Sequence, residues 1–263
     1  MIKNNIDICL TPSTIDLFDI SDKKVIIIDV FRATSAMCVF LNNGGEYVVP
    51  VATVEEAIKY KELTNNNKYL FAAERNGEVV SGFDLGNSPF SYDSKNFQGV
   101  HLTITTTNGT LAINKSKEAG GGMLLASFLN VTAVVDYILS SPNDDILIIC
   151  SGWKGRFCLE DLLLAGCLSN KLLSTNHFFS TSDSVLMAGH IYDLAKVDLL
   201  GFLSNSSYYN RMNLEDDMKY CLQQDIMNTV PVWLDKIPDT IFSSHTTGGF
   251  YSNKHDVFNS SNL

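Results

Sequence analysis

An α/β fold, with helices layered on a mixed or largely parallel sheet, is what this chain of 263 residues predicts. Short apolar, β-branched runs alternate with helix-like stretches along most of the length, which is the pattern of α/β layers. Two of those runs, Val25–Ile28 and Val100–Ile104, break abruptly into polar turns. The composition, 45% hydrophobic against 18% charged, is compatible with a real buried core. One unit over residues 1–250 is the expectation, with a polar tail over 251–263. Two lobes with the site between them, meeting near 115–125, is the alternative at this length.

In chain order, strands are expected at Ile6–Leu10, Val25–Asp29, Tyr47–Pro50, Tyr69–Ala72, His101–Thr105, Met123–Ala126, Ile146–Cys150 and near Phe178. Helices are expected at Ser35–Asn42, Val54–Leu63, Thr110–Lys117, Leu129–Leu139, Leu159–Leu172, Ser182–Ala195 and Leu214–Asp225. Val54–Leu63 has the clearest start: Thr53 can cap it, and Glu55 and Glu56 place negative charge in its first turn. Asn65–Asn67 reads as a loop, and the stretch from Ser252 onward as a weakly apolar tail that frays.

The formal net charge of −10 argues against attraction to nucleic acid or an anionic membrane. An anionic ligand must then be held by local positive charge or by a cation. No apolar run approaches the roughly 18–20 residues of a membrane span, and the N-terminus does not read as a secretion signal. None of the six cysteines forms a C-x-x-C pair, and Cys9, Cys38, Cys150 and Cys167 lie among apolar neighbours. A reduced, cytoplasmic setting is expected, with a homodimer as the prior for a soluble enzyme.

Two strand ends carry the chemistry. Asp29-Val-Phe-Arg-Ala-Thr-Ser35 follows one apolar run, and Thr105-Thr-Thr-Asn-Gly-Thr110 follows the other. Ligands of α/β folds gather at the carboxyl ends of strands. There an Asp can hold a hard cation such as Mg2+, an Arg can grip oxyanion oxygens with a planar fork, and hydroxyls and turn amides can complete a cradle. Four more polar segments lie past strands, at glycine breaks or at a helix start: Glu74–Gly77, Gly82–Pro89, Ser151–Gly155 and Glu160-Asp161. A metal-assisted enzyme acting on a phosphorylated acid is the resulting expectation.

The same segments resemble the 2-phosphosulfolactate phosphatase family. Asp29–Ser35 looks like its D-x-x-R-A-T-S signature, and Thr105–Thr110 its T-T-T-N-G-T block. Glu74-Arg75 with Gly77 and Gly82–Pro89 resemble a further block. Ser151-Gly152, Gly155 and Glu160-Asp161 resemble another, and Asp217, Cys221, Asp225 and Val230-Pro231 the last. The blocks run in order from about residue 25 to about residue 231. Departures are Phe31 for a usual Leu, Ser151 for a common Ala, and the bulky, basic Trp153-Lys154. The resemblance implies an α/β phosphatase that uses Mg2+ to convert 2-phosphosulfolactate to sulfolactate and phosphate, a step toward coenzyme M.

From residue chemistry, Asp29 and one or both of Glu160 and Asp161 are expected to hold Mg2+, with Glu74 as another candidate ligand. Arg32 would bind the phosphoryl oxygens. Thr34, Ser35, Thr107, Asn108 and Gly109 would cradle the phosphate, and Arg75, Asn87 and Ser88 the organic acid. An aspartyl-phosphate on Asp29 and direct attack by water both fit. Blander readings stand beside these. Asp29 can cap a helix with Arg32 as its local partner, Thr105–Thr110 can be a plain strand end and turn, and Glu160-Asp161 can serve the helix dipole. Glu74-Arg75 can be a surface pair and Asp84 a turn residue. Asp217 and Asp225, about two turns apart, read as a solvated helix face. The five histidines show no ligand spacing, and Cys158 has no His nearby in sequence, so a passive thiol is expected. A phosphatase for a different phosphorylated acid, or a non-catalytic metabolite-binding protein on the same scaffold, are the alternative functions.

Overall fold

The computed structural model describes residues 3–64, 67–75, 77–106, 108–212, 214–238 and 247–254. Its strands are β1 (Asn4–Cys9), β2 (Lys24–Ile28), β3 (Tyr47–Val51), β4 (Tyr69–Arg75), β5 (Glu78–Val79), β6 (His101–Thr105), β7 (Met123–Ala126), β8 (Ile146–Cys150), β9 (Phe178–Phe179), β10 (Thr229–Leu234) and β11 (Gly249–Lys254). Interleaved with them are α1 (Ala33–Asn42), α2 (Val54–Glu62), α3 (Gly109–Lys115), α4 (Val131–Ser140), α5 (Leu159–Leu173), α6 (Asp183–Ala195), α7 (Leu199–Leu203), α8 (Ser207–Met212) and α9 (Glu215–Cys221). Thr53 caps α2 as expected, its hydroxyl accepting from the Glu56 amide at 3.1 Å.

One sheet, in the order β5-β4-β6-β3-β11-β10-β7-β2-β8-β1-β9, crosses the molecule. It is mixed rather than wholly parallel. Strands β3, β6 and β4 form one parallel set, and β7, β2, β8, β1 and β9 another. The antiparallel hairpin β10–β11 joins them. Counted through these pairings, the two sets run in opposite senses. Five neighbour-to-neighbour steps separate β2 from β6, and at roughly 20–25° each the accumulated twist exceeds about 100°. That turn lets the carboxyl ends of both sets converge on one place.

Helix α1 lies in the hollow of this twisted sheet, against β7, β10, β11 and β3. Every residue from Ala33 to Leu41 is buried, which explains why its sequence is apolar all round rather than amphipathic. One core packs α1 against β2, β6, β7 and β8. A second packs α4, α5 and α6 on the opposite face, and a smaller one lies under α2. All six cysteines are buried and free. Among the described residues no helix is long and apolar enough to cross a membrane.

Three expectations need correction. The stretch expected as tail is paired through residue 254, because β11 fills the gap between β3 and β10. Strand β10 contains Pro231, a residue that weakens a strand signal. The helix expected at Leu214–Asp225 ends at Cys221. Asp225 lies beyond it at φ 55° and accepts from the Thr132 amide at 2.6 Å and the Thr132 hydroxyl at 2.8 Å. It therefore holds the start of α4 rather than a solvated face of α9.

Candidate active site

The turn after β2 folds back on itself through its hydroxyls. Thr34 Oγ1 accepts from the Asp29 amide at 3.1 Å and donates to the Asp29 carbonyl at 2.9 Å. Ser35 Oγ donates to the Val30 carbonyl at 2.9 Å. Both side chains are fully buried, so the expected cradle hydroxyls instead shape the turn. Their work leaves the Asp29 carboxylate facing a cavity of about 500 Å³. Asp29 accepts weakly from the Ala33 amide at 3.4 Å and also from the Gly109 amide. A Cβ on Gly109 would stand 2.9 Å from Asp29 Oδ2, so only glycine lets α3 approach so closely. Gly109 thus supports Asp29 and does not line the cavity.

The cavity is also lined by Arg32, Glu74, Arg75, Asn87, Thr106 and Asn108, and by Gly152, Trp153, Lys154, Glu160 and Asp161. Most of the expected site residues are therefore brought together from four strand ends and the start of α5. Thr107 lies outside the described residues. Glu160 and Asp161 are each only 3% exposed, and both stand in the first turn of α5, where the helix dipole favours negative charge. Asp161 accepts from the Val30 amide at 2.9 Å and the Gly152 amide at 2.9 Å. It staples the turn after β2 to the loop after β8. Gly152 has φ 59°, and a Cβ there would collide with the Arg156 carbonyl, so this tight loop requires glycine. Asn108 Oδ1 accepts from the Lys154 amide at 3.2 Å, tying the same loop to the turn after β6.

Arg32 lines the cavity and is held there by two acids: its terminal nitrogens donate to Asp217 and Glu74. Asp217, expected on a solvated face, is buried and also accepts from Ser88 Oγ at 2.7 Å. Ser88 thus orients Asp217 and does not line the cavity. Asn87 is 8% exposed, lines the cavity, and its Oδ1 has no hydrogen-bond partner among the described residues. Arg75 donates from Nη1 to the Glu74 carbonyl at 2.8 Å while facing the cavity.

Burial raises the Asp29 carboxyl to about 6, with the charge of Glu74 adding to the rise. Burial also raises Glu160 to about 7, with Asp29 adding and Arg211 opposing. Asp161 is pushed well above the carboxylate range by burial and by its two acidic neighbours. Cys158 is likewise pushed up, by burial first and then by Glu160, consistent with a passive thiol.

Three crowded acids that resist ionisation are chemically suited to a hard cation. Among the described residues no three His, Cys, Asp or Glu side chains close into a metal cluster. Asp29, Glu74, Glu160 and Asp161 all line the cavity. One oxygen of Glu74 is occupied by Arg32, and both oxygens of Asp161 by amides.

Helix α8 adds residues that sequence reading missed: Tyr208, Arg211 and Met212 all line the cavity. Tyr208 packs on Phe31 with ring centroids 4.9 Å apart. No local pattern marks these residues, since they follow β8 by more than fifty positions in an unremarkable stretch.

A sequence model of the family described as 2-phosphosulpholactate phosphatase matches residues 9–236 of this chain. Curated relatives are similar over most of their length. One from Caldanaerobacter subterraneus subsp. tengcongensis is 36% identical over 225 residues, covering 84% of this chain and 92% of the relative. One from Clostridium beijerinckii is 32% identical over 233 residues, covering 88% and 97%. One from Thermotoga maritima is 34% identical over 235 residues, covering 88% and 96%. Each of the three is named as a probable 2-phosphosulfolactate phosphatase.

Proposed function

This chain belongs to the 2-phosphosulfolactate phosphatase family, and on that premise we propose that it hydrolyses 2-phosphosulfolactate to sulfolactate and phosphate with Mg2+. The observation that carries the proposal is one cavity lined both by the acids Asp29 and Glu160 and by the basic Arg75 and Lys154. Carboxylates alone would repel a phosphate monoester; cations alone would bind it without a metal. A cavity with both suits a phosphoryl group bridging a cation and basic side chains.

Asp29 and Glu160 would hold the metal, which supplies a Lewis acid for the phosphoryl oxygens. Asp161 keeps the turn after β2 and the Gly152 loop in register, so that Asp29 stays aimed at the cavity. Arg32, paired on both arms, contributes positive charge and holds Glu74 and Asp217 in place. Arg75 and Lys154 bind oxyanion oxygens, and Asn87 offers an unmatched amide oxygen to water or to the hydroxyl freed in the product. In the reaction a water oxygen bonds to phosphorus, the bond from phosphorus to the C2 oxygen breaks, and that oxygen gains a proton.

The test is phosphate release from racemic 2-phosphosulfolactate with Mg2+ or EDTA, for wild type and Asp29→Asn. Turnover that needs Mg2+ and drops at least about 100-fold in the folded variant is expected. Turnover that survives EDTA or the substitution would overturn the role of Asp29 and its metal. Failure on this substrate with turnover of another phosphorylated acid would overturn the substrate.

A further inference from the structure

Two arginines face the same cavity in opposite states. Arg32 is paired with two acids, Asp217 and Glu74. Arg211, at the end of α8, makes a single long hydrogen bond among the described residues, from Nη1 to the Ser207 carbonyl at 3.4 Å. Its Nε is buried with no partner among the described residues. A buried donor on a cation left unmatched is costly, and native structures rarely retain one without a use.

The guanidinium is nonetheless held firmly. Its Cζ stands 3.7 Å from the centre of the Trp153 ring and 5.7 Å from that of Tyr208. Stacking uses the face of the guanidinium and leaves the N–H groups on its edge free, so the ring fixes the plane without consuming donors. Lys154 Nζ lies 4.7 Å from the centre of the same Trp153 ring. Two cations gathered on one indole repel each other, and an anion placed between them relieves that repulsion.

We propose that Arg211, stacked on Trp153 with Lys154 beside it, is the receptor for the sulfonate of the substrate and selects sulfonated over plain phosphorylated acids. This rests on the phosphatase reading of the cavity. A sulfonate is ionised at every working pH, is weakly hydrated, and offers three oxygens. It matches a weakly hydrated guanidinium fork on an aromatic surface. The apolar neighbours Phe31 and Met212 suit the methylene that carries the sulfonate. The bulk and charge of Trp153-Lys154, foreign to a simple phosphate cradle, find their use here.

The test compares 2-phosphosulfolactate with 2-phospholactate, which lacks the sulfonate, on wild type, Arg211→Gln and Arg211→Lys, each checked for folding by circular dichroism. Wild type should favour the sulfonated substrate in kcat/KM. Arg211→Gln should raise KM for it about 10- to 100-fold with kcat changed far less, and lose much less on 2-phospholactate. Arg211→Lys should fall between. A wild type without preference, or a kcat loss equal on both substrates, would overturn the sulfonate role while leaving the phosphatase reading intact. If wild type hydrolyses neither substrate, that reading fails, and melting-temperature shifts with sulfolactate, lactate and inorganic phosphate decide the subsite. A shift with sulfolactate alone that disappears in Arg211→Gln supports it. The absence of that shift, its survival in the variant, or an equal shift with lactate or phosphate overturns it.

Discussion

The two walls of the cavity are built by different means. The acidic wall, Asp29, Glu160 and Asp161, hangs from the central strands β2 and β8 and the first turn of α5, with Glu160 and Asp161 buried and Asp29 half-buried. Backbone amides of Ala33, Gly109, Val30 and Gly152 hold its oxygens. The cationic wall comes from the β4–β5 hairpin, the loop after β8 and the short α8, where Arg75, Lys154 and Arg211 keep part of their surface in solvent. A charge that must stand at a fixed distance from the reacting phosphorus benefits from a rigid, dry setting. A charge that selects the rest of the substrate works from peripheral segments, which tolerate change.

The sharpest way to break this contrast is to neutralise the acidic wall. Glu160→Gln should cut turnover at least about 100-fold and yet raise the melting temperature of the metal-free protein at pH about 7.5. The sign follows from the raised acids. A carboxyl with a higher pKa folded than unfolded stabilises fully below its unfolded value of about 4. That share is lost as pH rises through about 6 for Asp29 and about 7 for Glu160. Melting curves of metal-free wild type across that window should therefore fall with pH, and added Mg2+ should flatten them. A variant less stable than wild type, or a pH-independent wild type, would contradict the crowding of these acids.

A second substitution probes the joint between the walls. Asp217→Ala frees one arm of Arg32 and removes the acceptor of Ser88. Turnover should fall about 10- to 100-fold, the range for losing an orienting outer partner, with the Mg2+ requirement unchanged. Steady-state kinetics across Mg2+ concentrations would check it, and undiminished turnover would show that Arg32 does not depend on this pairing.

The smallest effect is expected outside both walls. Asp225→Ala removes the acceptor for Thr132 at the start of α4. It should cost about 1 kcal/mol, or about 2–4 °C in melting temperature, with kcat and KM unchanged. Altered kinetics would mean that α4 bears on the cavity after all.

These three positions also measure how far the sequence could be read. Asp217, Cys221 and Asp225 belong to one motif, yet their work differs. Asp217 serves the site, Cys221 is buried in the core, and Asp225 anchors α4. Spacing shows the recurrence of the motif but not the direction of each side chain once the helix ends at Cys221. The same limit explains Thr34 and Ser35. Their place at a strand end was legible, whereas their turn inward onto the Asp29 and Val30 carbonyls was not. Arg211 and Tyr208 carried no local signal at all.

The grouping of Asp29, Glu74, Arg75, Asn87, Asn108, Glu160 and Asp161 as site residues leaned on the family resemblance, whereas residue order alone carried the alternation of strands and helices and the segments that end strands in polar turns. These follow from periodicity and turn chemistry, which act over a few neighbouring residues. Only the folded chain decided that two parallel strand sets are joined by the β10–β11 hairpin, that Arg32 is paired with Asp217 and Glu74, and that Arg211 is left open. Such outcomes depend on pairings between residues far apart in sequence, such as the 185 positions from Arg32 to Asp217. Burial then settles which polar groups must satisfy one another and which remain for a ligand.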